Sequence, residues 1–172
     1  PSNCGSCQAV CDLPNAQETC VQSECRILRC EDLWGNCDSD HSNGCETDVS
    51  SDLENCGACN RECQLPHAQA VCVQGGCQVA SCDEPYDDCD AAGENGCETD
   101  LSSHIDHCGS CGNACFFDNA AGQCQSGQCV MGACQQDYGD CNSLDDDGCE
   151  TYLPGNADHC GSCDNSCDLP HA

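Results

Sequence analysis

The chain contains no lysine and only three arginines, Arg26, Arg29 and Arg61, against 31 acidic residues, for a formal net charge of −28. Nucleic acid is held by clustered cations on its phosphates, so this balance excludes it as a partner. Aromatic residues are nearly as scarce, with one Trp, three Tyr and two Phe among 172 residues. Units this poor in large apolar side chains bury too little surface to hold together by a hydrophobic core alone. No apolar run reaches the roughly 18 residues of a membrane span, which excludes membrane insertion in this segment. No serine, histidine and acid recur together along the chain, so a hydrolase has no support and the chain reads as non-enzymatic.

Cysteine is what the sequence has in abundance, at 27 residues. Cys4, Cys56, Cys108 and Cys160 are each 52 apart, as are Cys7, Cys59, Cys111 and Cys163. Each period carries eight cysteines, beginning with Cys4, Cys7, Cys11, Cys20, Cys25, Cys30, Cys37 and Cys45. Three complete sets, plus Cys160, Cys163 and Cys167, account for all 27. A fixed period above about 20 residues marks a repeat architecture. The divisions are 1–52, 53–104, 105–156 and the start of a fourth repeat at 157–172. The chain is expected to be a window on a longer array, with Cys160, Cys163 and Cys167 pairing in the continuation of the fourth repeat or with a neighbouring chain.

Cysteine in even numbers per unit is the composition of a disulfide scaffold in an oxidising compartment. Closing a loop of about 15 residues stabilises by about 3 kcal/mol in the chain-entropy model, so four bridges per repeat substitute for a core. Thiolate clusters holding zinc or copper(I) are the competing account. The single Cys-x-x-Cys per repeat lacks the paired knuckles of a zinc ribbon, and no histidine follows it as covalent haem attachment requires. A thioredoxin-like site needs one such motif on a β-α-β frame, whereas here it recurs in every repeat.

Between the cysteine-rich opening and the acidic third of each repeat lies a β-hairpin signal. In the second repeat Ala70 to Val73 and Cys77 to Ala80 flank a turn at Gln74, Gly75 and Gly76. The expected fold is a set of small disulfide-rich repeats with short β-hairpins, loops and little helix, stacked as an elongated rod or solenoid-like array. Trp34, Tyr86 and Tyr138, one per repeat, are expected to be its largest apolar pieces, packed on the disulfides.

The acidic third ends in a run that reads NGCETD at 43–48, NGCETD at 95–100 and DGCETY at 147–152. Four positions carry a side-chain oxygen in every copy: Asn36, Asp88 and Asp140; Asp38, Asp90 and Asn142; Asn43, Asn95 and Asp147; Glu46, Glu98 and Glu150. Oxygen-only ligands on a loop suit calcium, which takes six to eight oxygens. By contrast Asp40 becomes Ala92 and Leu144, and Asp48 and Asp100 become Tyr152, which reads those carboxylates as surface charge. The stretch is not an EF-hand: counted from Asp38, Gly44 falls at the seventh position and Val49 at the twelfth, where that loop needs glycine sixth and glutamate twelfth. The alternative is that Asn43-Gly44, Asn95-Gly96 and Asp147-Gly148 are hairpin turns with positive φ at both residues, and that Glu46 caps backbone amides. Pairing of Cys37 with Cys45, Cys89 with Cys97 and Cys141 with Cys149 would close the acidic loop. None of the six histidines is kept in every copy, Asn3 and Asn55 standing where His107 and His159 do, and all six read as surface or turn residues.

The motifs NCGxC, CxLPxAxxxCVxGxC and DCDxxxxNGCETDL resemble the cysteine-rich tandem repeats of secreted and surface proteins of myxobacteria and related environmental bacteria. The likeness covers the whole chain, and 115–124 departs from it by lacking the proline seen at Pro14, Pro66 and Pro170. The resemblance implies an extracellular or cell-surface, repetitive, non-catalytic protein. The expected role is a filament, stalk or matrix element that self-associates or continues into further repeats, reinforced by calcium. An adhesin or receptor stalk presenting Trp34, Tyr86 and Tyr138 to glycans is the second possibility, and thiolate metal storage the third.

Overall fold

The structure, a computed structural model, describes residues 1–6 and 8–167; Cys7, Pro170 and His171 lie outside the described residues. The chain divides into two compact units. One comprises Pro1–Asp83 with Asp90–Glu98, the other Glu84–Cys89 with Thr99–Ala172. The contact boundary therefore runs through the second repeat.

In the first unit, β1 (Ala16–Val21) and β2 (Glu24–Cys30) form one antiparallel hairpin and β5 (Ala68–Val73) and β6 (Gly76–Cys82) another. A two-residue bridge of β3 (Trp34–Gly35) with β4 (Thr47–Asp48) lies between them in sequence. In the second unit β7 (Tyr86–Asp87) pairs with β8 (Thr99–Asp100), β9 (Ala120–Gln125) with β10 (Gln128–Cys134), and β11 (Tyr138–Gly139) with β12 (Thr151–Tyr152). The helical content of the described residues is two 3-10 turns, Asp145–Asp147 and Leu153–Gly155. Small disulfide-rich hairpins with little helix are thus the fold of each unit.

The hairpin turns are tight because two residues in each hold positive φ: Gln22 and Ser23, Gln74 and Gly75, Ser126 and Gly127. That geometry matches the twist of the flanking strands. The expected three-residue turn of the second repeat is shorter by one, since Gly76 belongs to β6. Ser23 at φ 72 supplies without glycine what Gly75 and Gly127 supply with it.

An isolated two-stranded hairpin is marginal in water. Here each is sewn to the loop preceding it. Cys20 and Cys25 face each other across β1 and β2, and bond not to one another but to Cys4 and Cys11. The pattern recurs as Cys56–Cys72 with Cys63–Cys77, and as Cys108–Cys124 with Cys115–Cys129. Almost every buried apolar residue is a half-cystine; Ala16 and Val49 are the exceptions among the described residues. Sulfur therefore takes the place of the aliphatic core that the composition withholds.

Candidate functional site: the acidic loop and the junction between repeats

Cys30 bonds Cys45, and Cys37 bonds Cys59, the second cysteine of the following repeat. The equivalents are Cys82–Cys97 with Cys89–Cys111, and Cys134–Cys149 with Cys141–Cys163. Cys160, Cys163 and Cys167, expected to pair in the continuation of the fourth repeat or with a neighbouring chain, are instead bonded within the described residues as Cys141–Cys163 and Cys160–Cys167. The expected pairs Cys37 with Cys45, Cys89 with Cys97 and Cys141 with Cys149 do not form. The physical reason lies in Glu46, which already closes the loop. Its Oε1 accepts from the Cys37 N–H at 2.7 Å, the Asp38 N–H at 3.2 Å and the Thr47 hydroxyl at 3.1 Å. Cys45 is then held elsewhere, its N–H donating to the Pro14 carbonyl at 2.9 Å at the foot of the hairpin, beside Cys30. Every described cysteine is in a disulfide, so a thiolate metal centre has no ligand among the described residues.

The glycine of each NGC or DGC run is fixed by that same docking. A Cβ on Gly44 would lie 2.5 Å from the Pro14 oxygen, and one on Gly96 2.5 Å from that of Pro66. Gly44 and Gly96 hold φ of 88° and 94°, whereas Asn43, Asn95 and Asp147 are not in the positive-φ region. The stretch is not the hairpin turn that Asn-Gly suggests, because only its second residue is left-handed.

Within the loop Asp38 works with both oxygens. Oδ1 accepts from the Asp40 N–H at 2.8 Å and Oδ2 from the Asn43 amide at 2.7 Å. Asp90 repeats this with the Ala92 N–H at 2.8 Å and Asn95 at 3.0 Å. In the third repeat Asn142 Oδ1 accepts from the Leu144 N–H at 2.7 Å while its amide donates to Asp147 at 2.9 Å. Asp140 accepts from the Ser143 N–H at 2.7 Å, and Glu150 from the Cys141 N–H at 3.1 Å and the Thr151 hydroxyl at 2.9 Å. Asp88 is half-buried in the second unit, with its N–H on the Asp87 carboxylate at 3.0 Å. Glu98 is exposed in the first unit.

Burial opposes ionisation of Glu46, but the N–H groups of Glu46 itself, Cys37 and Asp38 and the Thr47 hydroxyl outweigh it and hold its pKa below the usual carboxylate value. Glu150 is lowered first by its own backbone N–H, with burial opposing and the Thr151 hydroxyl and the Cys141 and Asn142 amides assisting. The all-oxygen donor set suits calcium. Asn36 Oδ1 in the first repeat is buried with no hydrogen-bond partner, a carbonyl-type oxygen of the kind calcium takes.

Two sets of residues went unread in the sequence. Asp48 is more than surface charge: the Ser50 hydroxyl and N–H hold its pKa down, by hydrogen bonds of 2.5 and 2.9 Å, and the Ser51 hydroxyl adds a third at 3.2 Å. Asp100 accepts the same three hydrogen bonds, from the Ser102 N–H and hydroxyl and the Ser103 hydroxyl. The legible signal was Asp-x-Ser-Ser. The third repeat reads Tyr152-Leu153-Pro154-Gly155 instead, and there a 3-10 turn and packing of Tyr152 on Tyr138, ring centres 5.5 Å apart, replace the cap. Second, Asn3, Asn55 and His107 share one task, each accepting the N–H five residues on: Gln8 and Asn60 at 2.8 Å, Gly112 at 2.9 Å.

The junction that follows each loop is equally regular. In the first unit Gly57 donates to the Val49 carbonyl at 2.8 Å and Gly75 to that of Ser50 at 3.1 Å, next to Cys37–Cys59. In the second, Gly109 donates to Leu101 at 2.9 Å, Gly127 to Ser102 at 3.1 Å and Gly161 to Leu153 at 3.3 Å. The arrangement holds chain segments at fixed spacing. Comparison with family models, curated proteins and solved structures gave no match. The density of disulfides fits an oxidising environment. No helix among the described residues is long and apolar enough to cross a membrane.

Proposed function

We propose that the chain is a non-catalytic structural element of an extracellular filament, stalk or matrix. The observation that carries this reading is the staple between successive repeats, which recurs as Cys37–Cys59, Cys89–Cys111 and Cys141–Cys163. A junction applied repeatedly with one geometry generates a rod or helix. Covalent closure of each junction makes such an array resistant to pulling, dilution and proteolysis, which are the loads a surface element bears. The net charge of −28 keeps the arrays soluble and apart, and the resemblance to bacterial surface repeats agrees. Electron microscopy of the intact protein tests it. Rods or fibres that shorten or collapse on reduction are expected, and compact particles under oxidising conditions would count against the reading.

Calcium in the acidic loop is a second reading, favoured by the unpartnered Asn36 Oδ1. Asn36, Asp38, Asn43 and Glu46 would hold the ion and stiffen the loop that feeds the junction. Titration calorimetry into calcium-free protein would give heat together with a chelator-sensitive rise in melting temperature. Absence of both removes the ion from the account and leaves the hydrogen-bonded loop unaided.

A further inference from the structure

We propose that the first repeat carries a binding site for a neutral saccharide, in the cleft lined by Gln17, Arg29, Cys30, Glu31, Asp32 and Trp34. The cleft has a volume of about 390 Å3, within the roughly 300–1,000 Å3 of small-molecule sites.

The residue types are those that sugar chemistry requires. A pyranose presents a flat face of C–H groups that lies against an aromatic ring, and pairs of adjacent hydroxyls that each donate and accept. Trp34, half-buried in β3, supplies the aromatic side chain of the cleft lining. Gln17 and Arg29 face one another across β1 and β2, and the Arg29 Nε donates to Gln17 Oε1 at 2.9 Å. That bond orients the guanidinium and leaves its two Nη groups unengaged, a fork of donors in the same cleft lining as Trp34. Glu31 and Asp32 add carboxylate acceptors whose side chains make no hydrogen bond among the described residues. Donor fork, acceptors and aromatic face thus line one cleft, with their hydrogen-bonding capacity unspent.

The other repeats lack the combination. The positions of Gln17, Arg29, Glu31, Asp32 and Trp34 are occupied by Gln69, Ser81, Asp83, Glu84 and Tyr86 in the second repeat. In the third they become Ala121, Ala133, Gln135, Gln136 and Tyr138. The hairpin folds in all three, so the scaffold does not require Arg29 or the indole. Their coincidence in one repeat is what a binding site needs and a scaffold does not. The net charge of −28 selects against anionic polysaccharides, which the single guanidinium could not offset.

Trp34 is the only tryptophan, so its emission reports this cleft without interference. The intact oxidised protein would be titrated with glucose, galactose, mannose and N-acetylglucosamine, with β1,4-linked oligomers of glucose and N-acetylglucosamine, and with heparin and polygalacturonate as anionic probes. At least one neutral probe is expected to give a saturable change in emission. Arg29→Ser, which installs the residue of the second repeat, should weaken its Kd about tenfold by loss of a charge-assisted hydrogen bond. Glu31→Gln should also weaken it, with disulfide content and circular dichroism unchanged in both variants. No saturable response to any neutral probe would overturn the proposal. So would a response that Arg29→Ser leaves intact, or one confined to the anionic probes.

Discussion

Asn142 donates to Asp147 across 2.9 Å, whereas at the same two positions of the first repeat Asp38 accepts from Asn43 across 2.7 Å. The pair has exchanged donor and acceptor while the bond persists. The loop requires one amide and one carboxylate at this spacing, in either order. Two carboxylates would repel and leave no donor.

Asn43→Asp should therefore be the damaging substitution, placing two carboxylates where one bond stood. A melting temperature lower by a few degrees is expected. Asp38→Asn combined with Asn43→Asp reproduces the third repeat and should recover most of the loss. A double-mutant cycle with no coupling between the two positions would show that the bond contributes nothing.

Glu46 gives the pH dependence. Its pKa is held below the ordinary value near 4.5, so the folded state binds the proton less readily than the unfolded state. The stabilisation is present above that ordinary value and is lost as pH falls through the lowered one. Glu46→Gln cannot titrate there. The variant should be less stable than the parent at neutral pH, with the difference shrinking as the solution is acidified below about 4.5. Chemical denaturation at neutral and acidic pH measures this, and a gap that widens in acid would contradict it. The exposed position of Glu46 keeps the effect small.

Glycine is needed at some left-handed positions and dispensable at others, which the copies themselves distinguish. Gly44 lies against the Pro14 oxygen, so Gly44→Ala should cost on the order of 3 kcal/mol or more, combining backbone strain with a clash. Gly112 has nothing within 4 Å of its added Cβ, and its counterparts Gln8 and Asn60 hold φ of 70° and 60° with full side chains. Gly112→Asn should be close to neutral. Equal losses in the two variants, measured by guanidinium unfolding, would refute the distinction.

The hairpins were legible because period, turn residues and cysteines five apart all pointed to the same strands. The need for disulfides was equally plain from the near absence of aromatics. Their connectivity was not, because eight cysteines admit 105 pairings and nearness in sequence favours Cys37 with Cys45. What decided otherwise is the Glu46 carboxylate on the Cys37 and Asp38 amides, a side-chain-to-backbone contact that no spacing rule reveals. The four repeated positions read as an ion's ligands, yet in the first repeat the Asp38 and Glu46 carboxylates accept hydrogen bonds from the loop's own amides and Asn43 donates its amide to Asp38. Repetition of oxygen alone does not separate an ion's ligands from a loop's own acceptors and donors.

The staple between repeats can be read directly by chemistry. Proteolysis of the oxidised protein without reduction should release a peptide pair joining Cys37 to Cys59 and another joining Cys89 to Cys111, each closing 22 residues. Cys30 should appear with Cys45 in a separate product. Removing one staple as Cys37→Ser with Cys59→Ser should lower stability by about 3 kcal/mol in the chain-entropy model. The bridges Cys4–Cys20, Cys11–Cys25, Cys30–Cys45 and Cys56–Cys72 close loops inside one repeat and should form normally in that variant. The Gly57 to Val49 and Gly75 to Ser50 bonds would then hold the first junction unaided, and hydrogen exchange at those two amides should quicken more than at Cys45. A peptide linking Cys37 to Cys45, or amide exchange at Gly57 and Gly75 unchanged by loss of the staple, would mean that successive repeats are not locked together by sulfur.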